Sequence, residues 1–141
     1  MSVYVVDASV AAKWFAPDEE HADAAFALLQ ENPRLHAPDF LLLEMDNLFC
    51  KWARRAIITS DEGEEMRLEL RKQTIVHYPF AEMQDHAFAL ANETGRALYD
   101  CLYLALAILI DGVMVTADRR FHDDLAKTPL AGRVAWVRES K

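Results

Sequence analysis

Short apolar segments alternate with longer amphipathic ones along the whole chain of 141 residues. Segments 3–6 and 113–115 carry no charge and are rich in β-branched residues, which is typical of strands covered on both faces of a parallel sheet. The chain has only 4 Gly and 5 Pro, too few for an all-β fold with many turns. The pattern therefore predicts an α/β sandwich with a mostly parallel sheet.

The predicted elements follow one another without a linker, a repeat or a low-complexity tract, so we expect one domain over residues 1–141. Strands are predicted at 3–6, 35–37, 75–77, 113–115 and 134–137. Helices are predicted at 10–15, 19–30, 39–56, 60–72, 82–92, 97–110 and 119–125.

The sequence gives no sign of a membrane or secretory segment. The longest apolar run covers 101–110, about half of the roughly 20 residues that a membrane span needs. The first residues lead directly into a strand and lack the basic start of a signal peptide. Cys50 and Cys101 lie in apolar sequence without metal-ligand spacing, so we expect free, buried thiols in a reducing compartment. We therefore expect a cytoplasmic protein that binds no membrane.

The net charge limits the classes of partner. Lys and Arg total 15 against 23 Asp and Glu, which gives a formal charge of −8 at pH 7. Such a balance disfavours a protein that coats nucleic acid through bulk charge or binds anionic lipid.

Four acids stand out from their surroundings. Asp7 and Asp118 each follow a predicted strand, and ligands of open α/β sheets bind at the carboxyl ends of strands. Asp100 is the only charged residue in 97–110, and Glu44 follows an apolar run at 40–43. Each acid also has a simpler interpretation. Asp7 and Asp118 can cap helices, Asp100 lies near a helix N-terminus, and Glu44 can lie on a solvated stripe.

Taken together, the four acids indicate one pocket. Clustered carboxylates repel one another, so without cations some of them would stay protonated. Hard divalent cations remove this repulsion, and all-oxygen ligation favours Mg²⁺ or Mn²⁺ over Zn²⁺. Phosphodiester hydrolysis is a typical use of such a site.

Four segments around these acids resemble the PIN-domain family, in particular its VapC-type toxins. They are 5–10 with 13–15 (Val-Val-Asp-Ala-Ser-Val and Lys-Trp-Phe), 41–44 (Leu-Leu-Leu-Glu), 99–107 (Tyr-Asp-Cys-Leu-Tyr-Leu-Ala-Leu-Ala) and 115–121 (Val-Thr-Ala-Asp-Arg-Arg-Phe). The segments occur in the family's order and span most of the chain.

The resemblance implies a three-layer α/β/α sandwich with a mostly parallel central sheet. It also implies that Asp7, Glu44, Asp100 and Asp118 are the catalytic and metal-binding acids, for Mg²⁺ or Mn²⁺. Ser9 and Thr116 match positions where the family often has hydroxyls beside the site, although both can equally act as caps.

VapC-type proteins are endoribonucleases of type II toxin–antitoxin pairs. The resemblance therefore implies metal-dependent cleavage of RNA, a homodimer, and a small antitoxin protein as partner.

The chain departs from the family pattern at two positions. Ala97 stands where relatives often have Ser or Thr, which can loosen the hydrogen bonding around Asp100. Asp46 stands where a small residue is commoner. Two residues along a helix correspond to about 200°, so we expect Asp46 to point away from Glu44.

Two basic groups lie on the segments that supply the acids. Lys51, Arg54 and Arg55 follow Glu44 on one predicted helix, with a spacing that predicts a shared face. Arg119 and Arg120 follow Asp118. Both groups can be solvated surface, or they can contact RNA phosphates.

The acidic net charge is compatible with an RNA substrate once the metal is included, because two divalent ions would take the formal charge of −8 to −4. The remaining acidity predicts weak non-specific binding, with the substrate selected by local contacts and metal–phosphate ligation. The alternative function is a catalytically weak PIN-fold module that mainly docks a protein partner. A phosphotransfer receiver or phosphohydrolase fits less well, because 7–9 lacks the second Asp of an Asp-x-Asp motif.

Overall fold

A single parallel sheet organises the part of the chain, residues 2–139, that the computed structural model describes. Its five strands in this range are β1 (Tyr4–Val6), β2 (Leu35–Pro38), β3 (Ile75–Tyr78), β4 (Val113–Thr116) and β5 (Val134–Trp136). They lie in the order β3-β2-β1-β4-β5, and every neighbouring pair is parallel. The predicted parallel sheet is therefore confirmed.

Helices cover both faces of this sheet. Their bounds are α1 (Ala8–Lys13), α2 (Ala22–Glu31), α3 (Phe40–Arg54), α4 (Ser60–Lys72), α5 (Gln84–Thr94), α6 (Leu98–Leu109) and α7 (Arg119–Ala126). Short 3-10 helices cover Phe80–Glu82 and Ala131–Arg133. Helix α1 packs against α2 and α3, and α3 packs against α4. Helices α5 and α6 pack together, with α6 against β1, β2 and β4. These contacts fit the three-layer α/β/α arrangement.

The order of the strands fixes where a ligand site can form. The chain builds β1, β2 and β3 in one direction and then returns to place β4 on the other side of β1. In the β1–β4 pair, Val5 lies opposite Met114 and Val6 opposite Val115. The carboxyl ends of β1 and β4 therefore lie side by side at the point where the strand order reverses, which is where open α/β sheets bind ligands.

Helix α6 forms much of the core. Seven consecutive residues of this helix, 101–107, are buried, as the apolar run predicts for a core helix. None of the helices within residues 2–139 combines the length and apolarity needed to cross a bilayer. Asp100 is the acid in the first turn of α6, and it is half-buried.

The structure corrects the expectation for one cysteine. Both cysteines are free, but only Cys101 is buried, whereas Cys50 is exposed. The buried stripe of α3 runs through Leu41, Met45 and Phe49. Cys50 lies about 100° around the helix from Phe49 and therefore faces solvent.

Two predicted helix starts also move for local reasons. Helix α1 begins two residues early, because the Asp7 side chain accepts a hydrogen bond from the Val10 N–H and caps it. Helix α2 begins at Ala22 rather than at 19, because His21 has a φ of 67° and interrupts the helical path there.

Candidate active site

Asp7 occupies the carboxyl end of β1, and three hydrogen bonds hold its carboxylate. Oδ1 accepts from the Ser9 hydroxyl at 2.6 Å and from the Val10 N–H at 3.1 Å. Oδ2 accepts from the Thr116 hydroxyl at 2.6 Å. The side chain is only 7% exposed. Asp7 therefore caps α1, as its simpler interpretation predicts, and is also fixed toward the neighbouring strand end.

Ser9 and Thr116 connect the ends of β1 and β4. Besides donating to Asp7, the Ser9 oxygen accepts from the Ala117 N–H at 2.9 Å, and the Thr116 oxygen accepts from the Asp118 N–H at 3.1 Å. Their two hydroxyl oxygens lie 3.3 Å apart. The pair ties the backbone that leads to Asp118 to the Asp7 carboxylate.

Asp118 follows β4 and begins α7. Its Oδ1 accepts from the Phe121 N–H at 3.1 Å, so it caps this helix. The sequence left two roles open for Asp7 and Asp118, namely helix capping and a place in the site. Asp7 and Asp118 both cap helices while lying at adjacent strand ends.

Glu44 reaches the same region from α3 and has a partner that the sequence analysis did not single out. The Tyr103 O–H, on α6, donates a hydrogen bond to Glu44 Oε1. Tyr103 is 1% exposed, so this contact joins the two helices inside the protein. A sequence signal exists in hindsight, because Tyr103 lies three residues after Asp100 and so shares its helix face.

Arg96 is a second neighbour of the site that sequence reasoning missed. It precedes α6, and its guanidinium lies over the Phe121 ring at 5.3 Å and pairs with Asp124 at 2.9 Å. These contacts tie the start of α6 to α7. Ala97 makes no side-chain cap for α6, as expected for a residue without a hydroxyl.

The pKa shifts show that the acids interact. Burial raises the pKa of Asp7 to about 6, although the hydrogen bonds from Ser9, Thr116 and Val10 oppose the rise. Burial also raises the pKa of Glu44. The Tyr103 hydrogen bond lowers it, and the charges of Asp7 and Asp100 raise it further.

The fourth acid, Asp118, affects the pKa of Asp100. Burial is the largest cause of its raised pKa, the charge of Asp118 adds to the rise, and the Arg96 cation opposes it. Each acid is thus linked electrostatically to at least one other, and a cation bound among them would relieve this repulsion.

The donor set fits a hard divalent cation by its chemistry. Asp7, Glu44, Asp100 and Asp118 offer carboxylate oxygens alone, the ligands that Mg²⁺ and Mn²⁺ prefer. Within residues 2–139, no group of three or more His, Cys, Asp or Glu side chains is arranged so that it could hold a metal ion as it stands.

The three basic residues at the end of α3 are all exposed, but Lys51 and Arg54 border different grooves. Lys51 lines a cleft that also contains Glu44 and Ser9. Arg54 instead lines a groove with Ser60 and other residues of α4. Arg55 follows the last residue of α3 and is exposed.

The basic residues after Asp118 also differ from each other. The Arg119 guanidinium stacks 4.2 Å over the Trp136 ring and pairs with Asp123 at 3.9 Å, so its side chain is already engaged. Arg120 is exposed.

Asp46 points away from the site, as predicted. Its carboxylate pairs with Arg67 at 3.1 Å and with Arg71 at 2.9 Å, both on α4. Burial alone would raise the pKa of Asp46, but the hydrogen bonds from Arg71 and Arg67 outweigh it and hold the pKa below its usual value. Asp46 therefore joins α3 to α4.

Comparison with known proteins agrees with this architecture. The family model described as "PIN domain" matches residues 4–125. Ribonuclease VapC3 of Pyrobaculum aerophilum is 38% identical over 123 residues, which cover 84% of this chain and 92% of that protein.

Two solved structures have a similar fold. PAE2754 from Pyrobaculum aerophilum superposes with a TM-score of 0.68 at 26% identity, over 96% of this chain and 84% of that one. A toxin–antitoxin complex from Klebsiella pneumoniae contains a chain with a TM-score of 0.68 at 17% identity, over 97% of this chain and 99% of that one.

Proposed function

The chain belongs to the PIN-domain family, among its VapC-type members, and from this premise we propose that it is a metal-dependent endoribonuclease. The observation that carries the proposal is the hydrogen-bonded junction of Asp7 and Thr116 at the adjacent ends of β1 and β4. Glu44 and Asp100 approach this junction from α3 and α6. The name of the relative from Pyrobaculum aerophilum, a ribonuclease, supports the substrate class.

We propose that Asp7, Glu44, Asp100 and Asp118 hold Mg²⁺ or Mn²⁺. A bound divalent cation would supply Lewis-acid stabilisation of the charge that develops on the phosphate, and would favour water as the nucleophile. The protein's own contribution is orientation. Ser9 and Thr116 fix the Asp7 carboxylate, and Tyr103 fixes that of Glu44.

The decisive experiment compares cleavage of total RNA by the full chain and by three variants, with Mg²⁺ and with EDTA. Asp7→Asn and Asp100→Asn should each abolish cleavage. Asp46→Asn is the matched control, because it removes one carboxylate from an ion pair that faces α4, and should leave cleavage intact. Cleavage that persists in both site variants, or in EDTA, would contradict the proposal.

The same experiment separates this function from that of a docking module. A module that only binds a partner would cleave no RNA above the level of the Asp7→Asn variant. Mapping the cut positions in the wild-type reaction would also identify the RNA.

We further propose that the biological partner is a small antitoxin protein. The chain from Klebsiella pneumoniae, which shares the fold, is part of a toxin–antitoxin complex. A small open reading frame beside this gene, whose product suppresses cleavage when co-purified, would support this pairing. Both cysteines are free, which is consistent with action in the reducing cytoplasm.

We also propose that the chain forms a homodimer through one exposed apolar patch. The patch consists of Phe40, Leu43, Phe80 and Tyr99. The Phe40 ring lies 5.0 Å from that of Tyr99 and 6.0 Å from that of Phe80. Leu43 is 64% exposed and Tyr99 is 59% exposed. A two-fold interface would let one such patch cover its own copy.

A further inference from the structure

A cleft of about 320 Å³ runs between α1 and α3 and begins at the acid cluster. Its lining is Ala8, Ser9, Ala12, Glu44, Met45, Asn47, Leu48 and Lys51. The α1 wall is formed by small side chains, which leave room beside α3. A cleft of this size takes a nucleotide-sized group rather than a duplex.

One face of α3 runs the length of this cleft. Glu44, Leu48 and Lys51 are four and three residues apart, so they lie in one row along the helix. Seven residues of helix correspond to roughly 10 Å between the level of Glu44 and that of Lys51. A cation at that distance from the acids would contact a different phosphate from the one bound at the acid cluster itself.

Lys51 differs from the cations of this chain that are engaged in ion pairs. Ion pairs engage most of its described cations, namely Lys13, Arg67, Arg71, Lys72, Arg96, Arg119, Arg133 and Arg138. Among residues 2–139, Lys51 is one of the cations without an ion pair, and it lines the cleft that contains Glu44. Its ammonium is therefore available to an anion that enters the cleft.

We propose that this cleft is the path along which a single strand of RNA leaves the acid cluster, with Lys51 contacting a phosphate other than the one that is cut. The apolar side chains of Ala8, Ala12 and Leu48 pack against the sugar or base between the two phosphates. The inference rests on the proposed ribonuclease function and adds to it the direction of the substrate. It also assigns the phosphate contact to Lys51 and not to Arg54, which lines the groove toward α4.

Arg34 provides a matched control for the charge of Lys51. It also lacks an ion pair among the described residues, but it lies just before β2, in a groove lined by Val3 and Asn32. This groove is at the amino end of the strands, away from Asp7. Lys51→Gln and Arg34→Gln change the net charge equally, so any difference between them reports a local contact.

The test measures binding of a fluorescein-labelled, mixed-sequence, 12-nucleotide single-stranded RNA at a series of salt concentrations. The background is Asp100→Asn with Mg²⁺, so that the probe stays intact. Each phosphate contact to a single strand contributes about 0.7 to the slope of log K against log salt. We expect Lys51→Gln to lower this slope by about 0.7 and to weaken binding about five- to tenfold. Arg34→Gln should leave both quantities unchanged.

Cleavage by chains with native acids separates failure of this inference from failure of the proposed function. Wild-type protein that cuts RNA establishes the function, and Lys51→Gln should then raise KM more than it lowers kcat. Equal salt slopes for the two variants, with wild-type cleavage intact, would contradict the proposed RNA path and still support the ribonuclease function. The path would also be overturned if Lys51→Gln weakened only the binding of a protein partner. Absence of wild-type cleavage would overturn the function itself.

Discussion

The Thr116 hydroxyl donates a 2.6 Å hydrogen bond to Asp7 Oδ2 across 109 positions of the chain. Thr116 is the last residue of β4, and Asp7 follows β1, so the bond spans the point where the strand order reverses. Both residues are buried. The bond therefore couples the packing of the sheet directly to the orientation of a candidate metal ligand.

The first prediction follows from this contact. Thr116→Val keeps the shape of the side chain but leaves the buried Asp7 Oδ2 without its donor, which costs about 1–3 kcal/mol. We expect urea unfolding at neutral pH to show this loss, together with a fall in RNA cleavage. Thr116→Ser retains the hydroxyl and should keep most of the activity. Equal cleavage by the Val and Ser variants would show that the hydrogen bond has no role in the reaction.

The second prediction concerns the cost of keeping Asp7 ionised. Its folded-state pKa of about 6 exceeds the usual 3.8, so the folded protein binds the proton more tightly than the unfolded chain does. Stability from this group is therefore present below pH 4 and is lost as the pH rises through 6. The loss amounts to about 3 kcal/mol at most, because each pKa unit corresponds to about 1.4 kcal/mol.

Asp7→Asn should therefore stabilise the metal-free protein near pH 7.5 by about 2 kcal/mol and have little effect near pH 4. Denaturant unfolding in EDTA at the two pH values measures this difference. Mg²⁺ should stabilise the wild type more than the variant. A variant that is less stable than wild type at pH 7.5 would show that the Asp7 carboxylate is well compensated by its hydrogen bonds.

The positions of Asp7 and Asp118 could be predicted because they depend on local pattern. Each follows a short uncharged run, and a parallel sheet brings the ends of such runs to one edge. The predicted strand at 113–115 stops one residue short of Thr116, the last residue of β4, and only the family resemblance predicts a place for Thr116 beside the site. Apolar periodicity also predicts α3 and α6 to within two residues of their observed ends.

The contacts of Tyr103 and Arg96 could not be predicted in the same way, because they join separate elements. Tyr103 on α6 donates to Glu44 on α3, and Arg96, which precedes α6, pairs with Asp124 on α7. Cys50 illustrates a related problem. An apolar helix face looks broad in sequence, whereas only the Leu41–Met45–Phe49 stripe is buried, and Cys50 lies beside that stripe.

The third prediction tests the close approach of Gly112, just before β4, to the backbone of Val3. A Cβ atom at Gly112 would lie 2.6 Å from the Val3 carbonyl oxygen, which already accepts a hydrogen bond from the Val113 N–H at 2.9 Å. Gly112→Ala would therefore push β4 away from β1 and cost about 1–3 kcal/mol. Thermal unfolding should show the loss. Gly132→Ala is the control, since a Cβ there would meet nothing within 4 Å beyond the neighbouring residues of its own turn. Equal effects of the two substitutions would contradict the steric explanation.

The fourth prediction tests the proposed homodimer. Leu43→Glu places a charge within the patch formed by Phe40, Leu43, Phe80 and Tyr99, and burying an unpaired charge in an apolar interface is strongly unfavourable. We expect sedimentation equilibrium to find wild-type dimers at micromolar concentration and a dimer Kd at least tenfold weaker for the variant. Leu109→Glu provides the control, because Leu109 is also about 61% exposed but lies at the opposite end of α6 from Tyr99. A wild type that sediments as a monomer, or equal weakening by both variants, would show that this patch does not form the interface.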